Sequence, residues 1–435
     1  MSAARWAAFE ILRRVGDGVF SSVLLAAEEP KLESSDRALC HELVLGVLRW
    51  QLYLDSIIEQ YSNRKITSLD ESVVIALRLG LYQLRFLTRV PASAAVDESV
   101  KLVHFAKLSS ARAFVNAILR RATREPEFDP ANDITDPIER LAVENSHPAW
   151  LVARWIKAFG PEETKEFIGA NNQTPSTSFR VVRTRALEAD VLQKLSDSGV
   201  TFERSNLVDG AWRVSTVSKV VRKLAESGDI YLQDEASQLV AKTLGAADGE
   251  LILDLCSAPG GKTTLIADQS NASVFAGDIS ERRLATVSSA VDVQGLKNVQ
   301  PMLLDGSEEL PFGENTFDRV LVDAPCSGTG TLRRNPEIRW RLSIDDIQRF
   351  STQQQRLLTN AGRVLKPAGR LVYSTCSVEE EENEHVVAAF LQNHRHFRQV
   401  RLTSPSELVT EAGALRTWPQ HQGTDGFFVA AFEKN

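Results

Sequence analysis

Residues 251–262 read Leu251-Ile252-Leu253-Asp254-Leu255-Cys256-Ser257-Ala258-Pro259-Gly260-Gly261-Lys262. An apolar run of strand length is followed by a proline–glycine turn and then by a helical pattern, which predicts the first strand–turn–helix of a Rossmann-type half. Working outward, β-rich runs at 273–277, 299–304, 317–322, 370–375 and 427–432 alternate with helical patterns at 280–294, 345–365 and 379–393. That alternation predicts a doubly wound parallel sheet with an edge hairpin at the end. Ligands of open α/β sheets bind beyond the carboxyl ends of the strands. The residues at those ends therefore carry the functional reading.

Gly260 and Gly261 let the backbone come close to a ligand, and the helix that follows presents free N–H groups. The turn has neither GxGxxG nor P-loop spacing, so by itself it is a weak signal. Asp278 ends the second strand at about the interval expected of an acid that holds ribose hydroxyls. Its bland alternative is a helix N-cap. Asp305 ends the third strand and is placed at the adenine edge of a nucleotide-type cofactor. Two further strand ends carry thiols, in Asp323-Ala324-Pro325-Cys326-Ser327-Gly328-Thr329-Gly330 and in Ser374-Thr375-Cys376-Ser377. A buried cysteine is ordinarily just a small hydrophobe, but two thiols at two strand ends of one sheet point to covalent chemistry. Cys256 inside the turn is read as packing, and Cys40, in a helical apolar stripe, as core. A helix starting near Val378 would favour a Cys376 thiolate, and the acids Glu379 to Glu382 are read as balancing that helix dipole.

Residues 1 to about 125 read as successive helices, from apolar spacings of three and four such as Leu39-Leu43-Val47-Trp50 and Val74-Leu77-Leu81-Leu84. A proline-punctuated acidic linker runs from Glu125 to Pro137. Beyond it a small α+β module is expected over 140–230, with a helix from Pro148 to Phe159, a strand over 177–183 and a helix over 187–195. The organisation is thus an all-α domain (1–130), the α+β module (140–230) and the α/β Rossmann-like domain (231–435). The net charge of −7 is confined to residues 231–435, so it leaves room for local basic surfaces. Two such clusters, Arg333-Arg334-Asn335-Pro336-Glu337-Ile338-Arg339-Trp340-Arg341 and Arg180, Arg183 and Arg185, are candidates for phosphate contacts. No apolar run approaches membrane-spanning length. Four cysteines without CxxC spacing argue against disulfides or zinc. A reducing cytoplasm, no membrane and no metal are expected.

At these residues the chain resembles the RNA cytosine-5 methyltransferases, through DLCSAPGGKTT (254–264), GDIS (277–280), LLDG (303–306), LVDAPCSGTG (321–330), RRNPEIRW (333–340) and YSTCSVEEEENE (373–384). YLQDEASQLVAKTL (231–244) is similar to the helix that opens their catalytic domain. DRALCHELVLGVLRW (36–50), VPASAAVDESVKLV (90–103) and FVNAILRR (114–121) resemble the NusB-like RNA-binding domain fused to the RsmB (Sun/Fmu) ribosomal RNA subgroup.

The resemblance implies S-adenosylmethionine as cofactor, held by Cys256, Ser257, Ala258, Pro259, Gly260, Gly261, Lys262, Asp278, Asp305 and Asp323. It implies a cytosine of 16S ribosomal RNA as substrate, a monomer, and no DNA partner. It also implies Cys376 as nucleophile on carbon 6 and Cys326 as the residue that assists product release. Lys262 is placed at the cofactor carboxylate or the base, and Asp323 at cofactor or the cytosine amino edge. Three alternatives stand beside this: exchanged thiol roles, as in DNA enzymes with a Pro-Cys nucleophile; another RNA such as tRNA as substrate; and a non-catalytic NusB-like assembly factor.

Overall fold

The structure is a computed structural model that describes residues 2–435. Two compact units divide the chain, Met1–Thr174 with Leu332–Arg341, and Pro175–Thr331 with Leu342–Asn435.

The first unit is helical: α1 (Ala3–Gly16), α2 (Ser21–Glu28), α3 (Ser34–Arg49), α4 (Gln51–Ser62), α5 (Glu71–Phe86), α6 (Ala92–Phe105), α7 (Arg112–Arg124), α8 (Pro137–Glu144), α9 (Ala149–Phe159) and α10 (Pro161–Asn171). The apolar stripes seen in the sequence face inward. Leu43, Val47, Leu77, Leu81 and Leu119 are buried in one core with Cys40. Helix starts follow local chemistry. Asp70 accepts from Ser72 N to cap α5, and Asp136 caps α8 through Ile138 N and Glu139 N with Pro137 at the first turn. The acidic linker is packed rather than loose. Phe128 lies 4.8 Å from the Tyr61 ring, and Gln60 Nε2 donates to the Pro130 carbonyl.

The second unit holds two sheets. The small one, in the order β2-β3-β1-β4, is antiparallel and consists of β1 (Thr177–Val181), β2 (Phe202–Arg204), β3 (Ala211–Val214) and β4 (Ile230–Leu232). Helices α11 (Glu188–Asp197) and α12 (Lys219–Glu226) pack on it through Val191, Leu195, Val221 and Leu224. Helix α13 (Glu235–Leu244) leads into the large sheet. In chain order there follow β5 (Leu251–Asp254), α14 (Gly261–Gln269), β6 (Ser273–Asp278), α15 (Glu281–Gln294), β7 (Val299–Leu303) and β8 (Phe317–Asp323). After the short α16 (Ile338–Arg341), which belongs to the helical unit, come α17 (Ile344–Val364), β9 (Leu365–Thr375), α18 (Glu384–Asn393), β10 (Phe397–Val400), β11 (Leu415–Arg416), α19 (Pro419–Gln422) and β12 (Phe428–Lys434).

The large sheet runs β10-β12-β9-β8-β5-β6-β7, with β11 beside β12. Strands β7, β6, β5, β8 and β9 are mutually parallel, while β12 is antiparallel to both β9 and β10. The expected doubly wound sheet is present, but the last strand lies inside the edge, between β9 and the unforeseen β10. From β5 the chain winds outward through β6 and β7, then returns to the other side of β5 at β8. The switch point therefore lies between β5 and β8, and there the strand ends open into a crevice.

Two expectations about basic residues are corrected. Residues 333–341 are not a free phosphate-binding surface. Arg333 and Arg339 are buried, and Arg339 donates to the carbonyls of Ser146 (3.0 Å) and Asn171 and to Asn172 Oδ1 (3.0 Å). Glu337 is buried too, accepting from Ser21 N and Oγ at 2.8 Å, and Trp340 Nε1 donates to the Leu48 carbonyl at 2.7 Å. These hydrogen bonds offset part of the cost of burying the charges. Arg180 is likewise buried, bonded to Gln233, Thr264 and Gln294 and 3.6 Å from Asp268. Arg183 and Arg185 remain exposed.

Candidate active site

Seven of the residues named from sequence meet around one cavity of about 330 Å³ at the switch point: Cys256, Ala258, Asp278, Asp305, Asp323, Cys326 and Cys376. A smaller cavity of about 140 Å³ shares the walls Cys256, Ala258 and Asp323 and adds Ser257, Pro259, Gly261 and Lys262. Of the predicted set Gly260 alone lines neither cavity. Its φ is +105°, and a Cβ there would stand 3.2 Å from Val287 Cα.

Asp278 is buried, with Oδ1 accepting from Ser280 N at 2.9 Å and Oδ2 3.4 Å from Arg283. The N-cap of α15 is Ser280, whose hydroxyl accepts from Arg283 N, so Asp278 is not the cap. Asp305 is fixed by Ser307 through N (2.9 Å) and Oγ (2.6 Å). The same cavity wall carries apolar side chains from Ile279, Leu304, Ala324, Pro325 and Leu357. Acids for hydroxyls beside an apolar slot for an aromatic ring fit an adenosine group. Near the glycine turn, Ser257 Oγ and Asp254 Oδ1 are buried without a partner, and polar atoms of this kind fit the amino-acid end of S-adenosylmethionine.

Asp254 ends β5 and is buried, with Oδ2 accepting from Thr263 Oγ1 at 2.7 Å. Burial pushes its carboxyl up to about 7; the Thr263 hydrogen bond opposes that rise and Asp323 adds to it. A folded value above the ordinary 3.8 disfavours the folded state as pH rises from about 4 through about 7, by an upper bound of about 4 kcal/mol. We therefore expect the melting temperature of Asp254→Asn, relative to wild type, to rise between pH 5 and pH 8. A difference independent of pH across thermal scans would remove this carboxyl as the source.

Lys262 Nζ donates to Asp323 Oδ2 at 2.6 Å and lies 5.0 Å from the Phe427 ring centre. Burial works against the ammonium, but Asp323 outweighs it and holds Lys262 above its ordinary range. Ser374 Oγ donates to Asp323 Oδ1 at 2.7 Å, so that carboxylate is oriented from both sides.

The thiols lie 3.2 Å apart, Sγ to Sγ. The hydrogen bond with Cys376 is the main cause raising the Cys326 thiol well above its usual value, and burial adds to it. The loops interlock through Gly330, whose N–H donates to the Cys376 carbonyl at 2.9 Å. A Cβ at Gly330 would stand 2.0 Å from the Gly426 carbonyl oxygen, so only glycine fits. Cys256 packs beside Leu253 and Leu255 in the core while showing its edge to both cavities.

One expectation fails here. Residues 376–379 are not helical; a single 3-10 turn spans Glu380–Glu382, and α18 starts only at Glu384. Helix-terminus effects fade within a turn, so no helix dipole acts on Cys376. Nor do the acids balance one, because Glu379 and Glu382 are buried. Sequence reasoning missed Glu382, Gln354 and Ser374. Their only sequence signal was Ser327 and Ser377 placed directly after the two cysteines.

The 16S rRNA methyltransferase RsmB/F family matches residues 241–433, the NusB family 2–124, and the RsmF/B-like ferredoxin-like domain 147–221. The probable ribosomal RNA small subunit methyltransferase B of Bacillus subtilis (strain 168) is 34% identical, over 95% of both chains. The chain belongs to this methyltransferase family. The ribosomal RNA small subunit methyltransferase B of Pseudomonas putida is 36% identical, over 94% of this chain and 93% of the relative. Among solved structures, that of PH0851 covers 99% of this chain and 98% of its own, with 29% identity and a TM-score of 0.87. A methyltransferase homolog protein from Pyrococcus horikoshii covers 69% and 100%, with 28% identity and a TM-score of 0.60. The expected architecture of the family is present: a NusB-type helical domain, a ferredoxin-like module and a methyltransferase domain on a mixed sheet. S-adenosylmethionine is the cofactor of this methyltransferase. Among the described residues no helix is long and apolar enough to cross a membrane.

Proposed function

We propose that this protein methylates carbon 5 of a cytosine in 16S ribosomal RNA through a covalent cysteine adduct. The observation that carries the reading is the pair of thiols 3.2 Å apart at the wall of the cofactor cavity. Carbon 5 of cytosine is a poor nucleophile. Addition of the Cys376 thiolate to carbon 6 forms an S–C6 bond and moves the double-bond electrons onto carbon 5, which makes that carbon enamine-like. The cofactor supplies the electrophilic methyl group. The carbon 5 proton must then leave, carbon 5 and carbon 6 rejoin by a double bond, and the S–C6 bond breaks to free Cys376.

Cys326 is placed to take that proton. Its thiol is held protonated mainly by the hydrogen bond with Cys376, and once that sulfur is bonded to carbon 6 this cause disappears. Cys326 thus becomes easier to ionise, its own proton passing to water, at the stage that needs a base. Asp323, held by Lys262 and Ser374, offers an acceptor to the cytosine amino group. A stacked cytosine could not enter, so the substrate is an unpaired or flipped base.

The 16S target is supported by the family match and by the relatives' names. Mapping 5-methylcytosine in ribosomal RNA from cells with and without the gene tests it. One 16S cytosine should lose its mark, and loss confined to tRNA would overturn the target.

The helical domain is proposed to bind RNA and to choose the target, without taking part in the chemistry. Helix α7 contains no acid and exposes Arg112, Arg120 and Arg124. Arg64 lies 5.6 Å from the Phe114 ring, which brings a further cation to this helix. Because Leu332–Arg341 belongs to the same compact unit, deleting the domain would strip that segment of its partners. Point changes are cleaner. Replacing Arg112, Arg120 and Arg124 by Gln should weaken RNA binding and flatten its log–log salt dependence by about 2. An unchanged slope in titrations at several salt concentrations would take α7 out of the interface.

A further inference from the structure

We propose that Glu382 is a positioning residue that locks the Cys326 and Cys376 loops into one register, so that both sulfurs address the same pyrimidine ring. This rests on the thiol roles proposed above. Glu382 is fully buried. Its Oε1 accepts from Ser327 N at 2.8 Å and from Gln354 Nε2 at 3.1 Å. Its Oε2 accepts from Ser377 Oγ at 2.5 Å and also from Ser327 Oγ. Ser327 and Ser377 are the residues directly after the two cysteines, so one carboxylate joins both loops.

The neighbours complete the bracket. Gln354 Nε2 also donates to the Pro325 carbonyl at 2.9 Å, so Cys326 is held on both flanks. Asn383 accepts from Thr375 Oγ1 at 2.5 Å and donates to the Ser377 carbonyl at 2.9 Å, so Cys376 is held on both flanks as well. The Glu382 carbonyl is itself fixed by Tyr373 Oη at 2.5 Å. Burial pushes the Glu382 carboxyl upward, and the Ser327, Ser377 and Gln354 donors oppose that rise. All its side-chain partners are neutral. A buried carboxylate is costly without full hydrogen bonding, and three of the four donors that meet this one belong to the two thiol loops.

The steps of the reaction depend unequally on such a lock. Attack on carbon 6 needs one sulfur. Release needs the second sulfur set against carbon 5 while the first is still bonded to carbon 6. Loosening the lock should therefore slow release more than attack.

The test uses the full chain with an in-vitro transcript of small-subunit ribosomal RNA and labelled S-adenosylmethionine. Protein-bound methylated RNA and free methylated RNA are measured in single turnovers. Glu382→Ala should raise the ratio of adduct to free product by at least about tenfold, since displacement by an ångström can cost that much or more, while cofactor affinity holds. Glu382→Gln should raise it less, because its amide oxygen still accepts from Ser327 N and Gln354. Should Glu382→Ala fail to fold, Ser377→Ala takes its place with the same expected direction. A ratio equal to wild type overturns the proposal, even if both steps slow together, because that would be a purely structural role. Cys326→Ser run in parallel separates the two readings. If it accumulates adduct while the Glu382 variants partition normally, only the lock fails. If it yields no adduct, the thiol assignment fails and the lock falls with it.

Discussion

Cys376→Ser is expected to lower methyl transfer by about 10⁴-fold or more, the scale seen when a covalent nucleophile is removed. The substitution is nearly isosteric, so the loss would be chemical. Cys376 sits at the mouth of its loop, half-buried, and its sulfur faces that of Cys326 at 3.2 Å. A hydroxyl in its place would be almost wholly un-ionised near neutral pH and would add poorly to carbon 6. Cofactor affinity should hold, since Asp278 and Asp305, the acids proposed to hold the adenosine, are untouched. Single-turnover methylation with calorimetry of cofactor binding checks both halves. Residual activity within tenfold of wild type would exclude Cys376 as the nucleophile.

Asp278→Ala should cost about 10²- to 10⁴-fold in S-adenosylmethionine affinity. Two hydrogen bonds from ribose hydroxyls to a carboxylate are worth about 1.5–3 kcal/mol each at most, and about 1.4 kcal/mol is tenfold. The acid is buried, ends β6, and is not the cap of α15. Alanine would also leave Ser280 N without its acceptor, so Asp278→Asn is the better partner experiment. Its amide oxygen can still serve Ser280 N, while its NH₂ faces the ligand as a donor. Both variants should keep their circular dichroism and lose affinity. Calorimetry showing wild-type affinity in either one would remove Asp278 from the site.

The parts of this molecule that were legible in sequence share one physical cause. Asp254, Asp278, Asp323, Cys326 and Cys376 follow short apolar runs, and a parallel sheet brings such strand ends to one rim. Period and position were enough. The helical domain was legible for a similar reason, since Leu43, Val47, Leu77 and Leu81 repeat at helical spacing and are buried together. What failed were the readings of Arg180, of residues 333–341 and of the run Glu379 to Glu382 as exposed charge. Arg339 and Glu337 read as surface charge, but their partners Asn172 and Ser21 lie 167 and 316 residues away in sequence. Arg180 is bonded to Gln294 across 114 residues. Glu382 belonged to a run of acids that resembles a solvated helix start, yet its partner Ser327 is 55 residues earlier. Local pattern predicts which face of an element is apolar. It does not show which charge will meet enough donors to be buried.

The measurement that bears most directly on the covalent account is denaturing electrophoresis of Cys326→Ser after reaction with S-adenosylmethionine and the RNA substrate. This variant retains Cys376 and should attack and methylate, but it lacks the thiol proposed to take the carbon 5 proton. The account predicts a methylated protein–RNA adduct that survives denaturation and is absent from Cys376→Ser. Adduct from Cys376→Ser with none from Cys326→Ser would contradict it and exchange the roles of the two thiols.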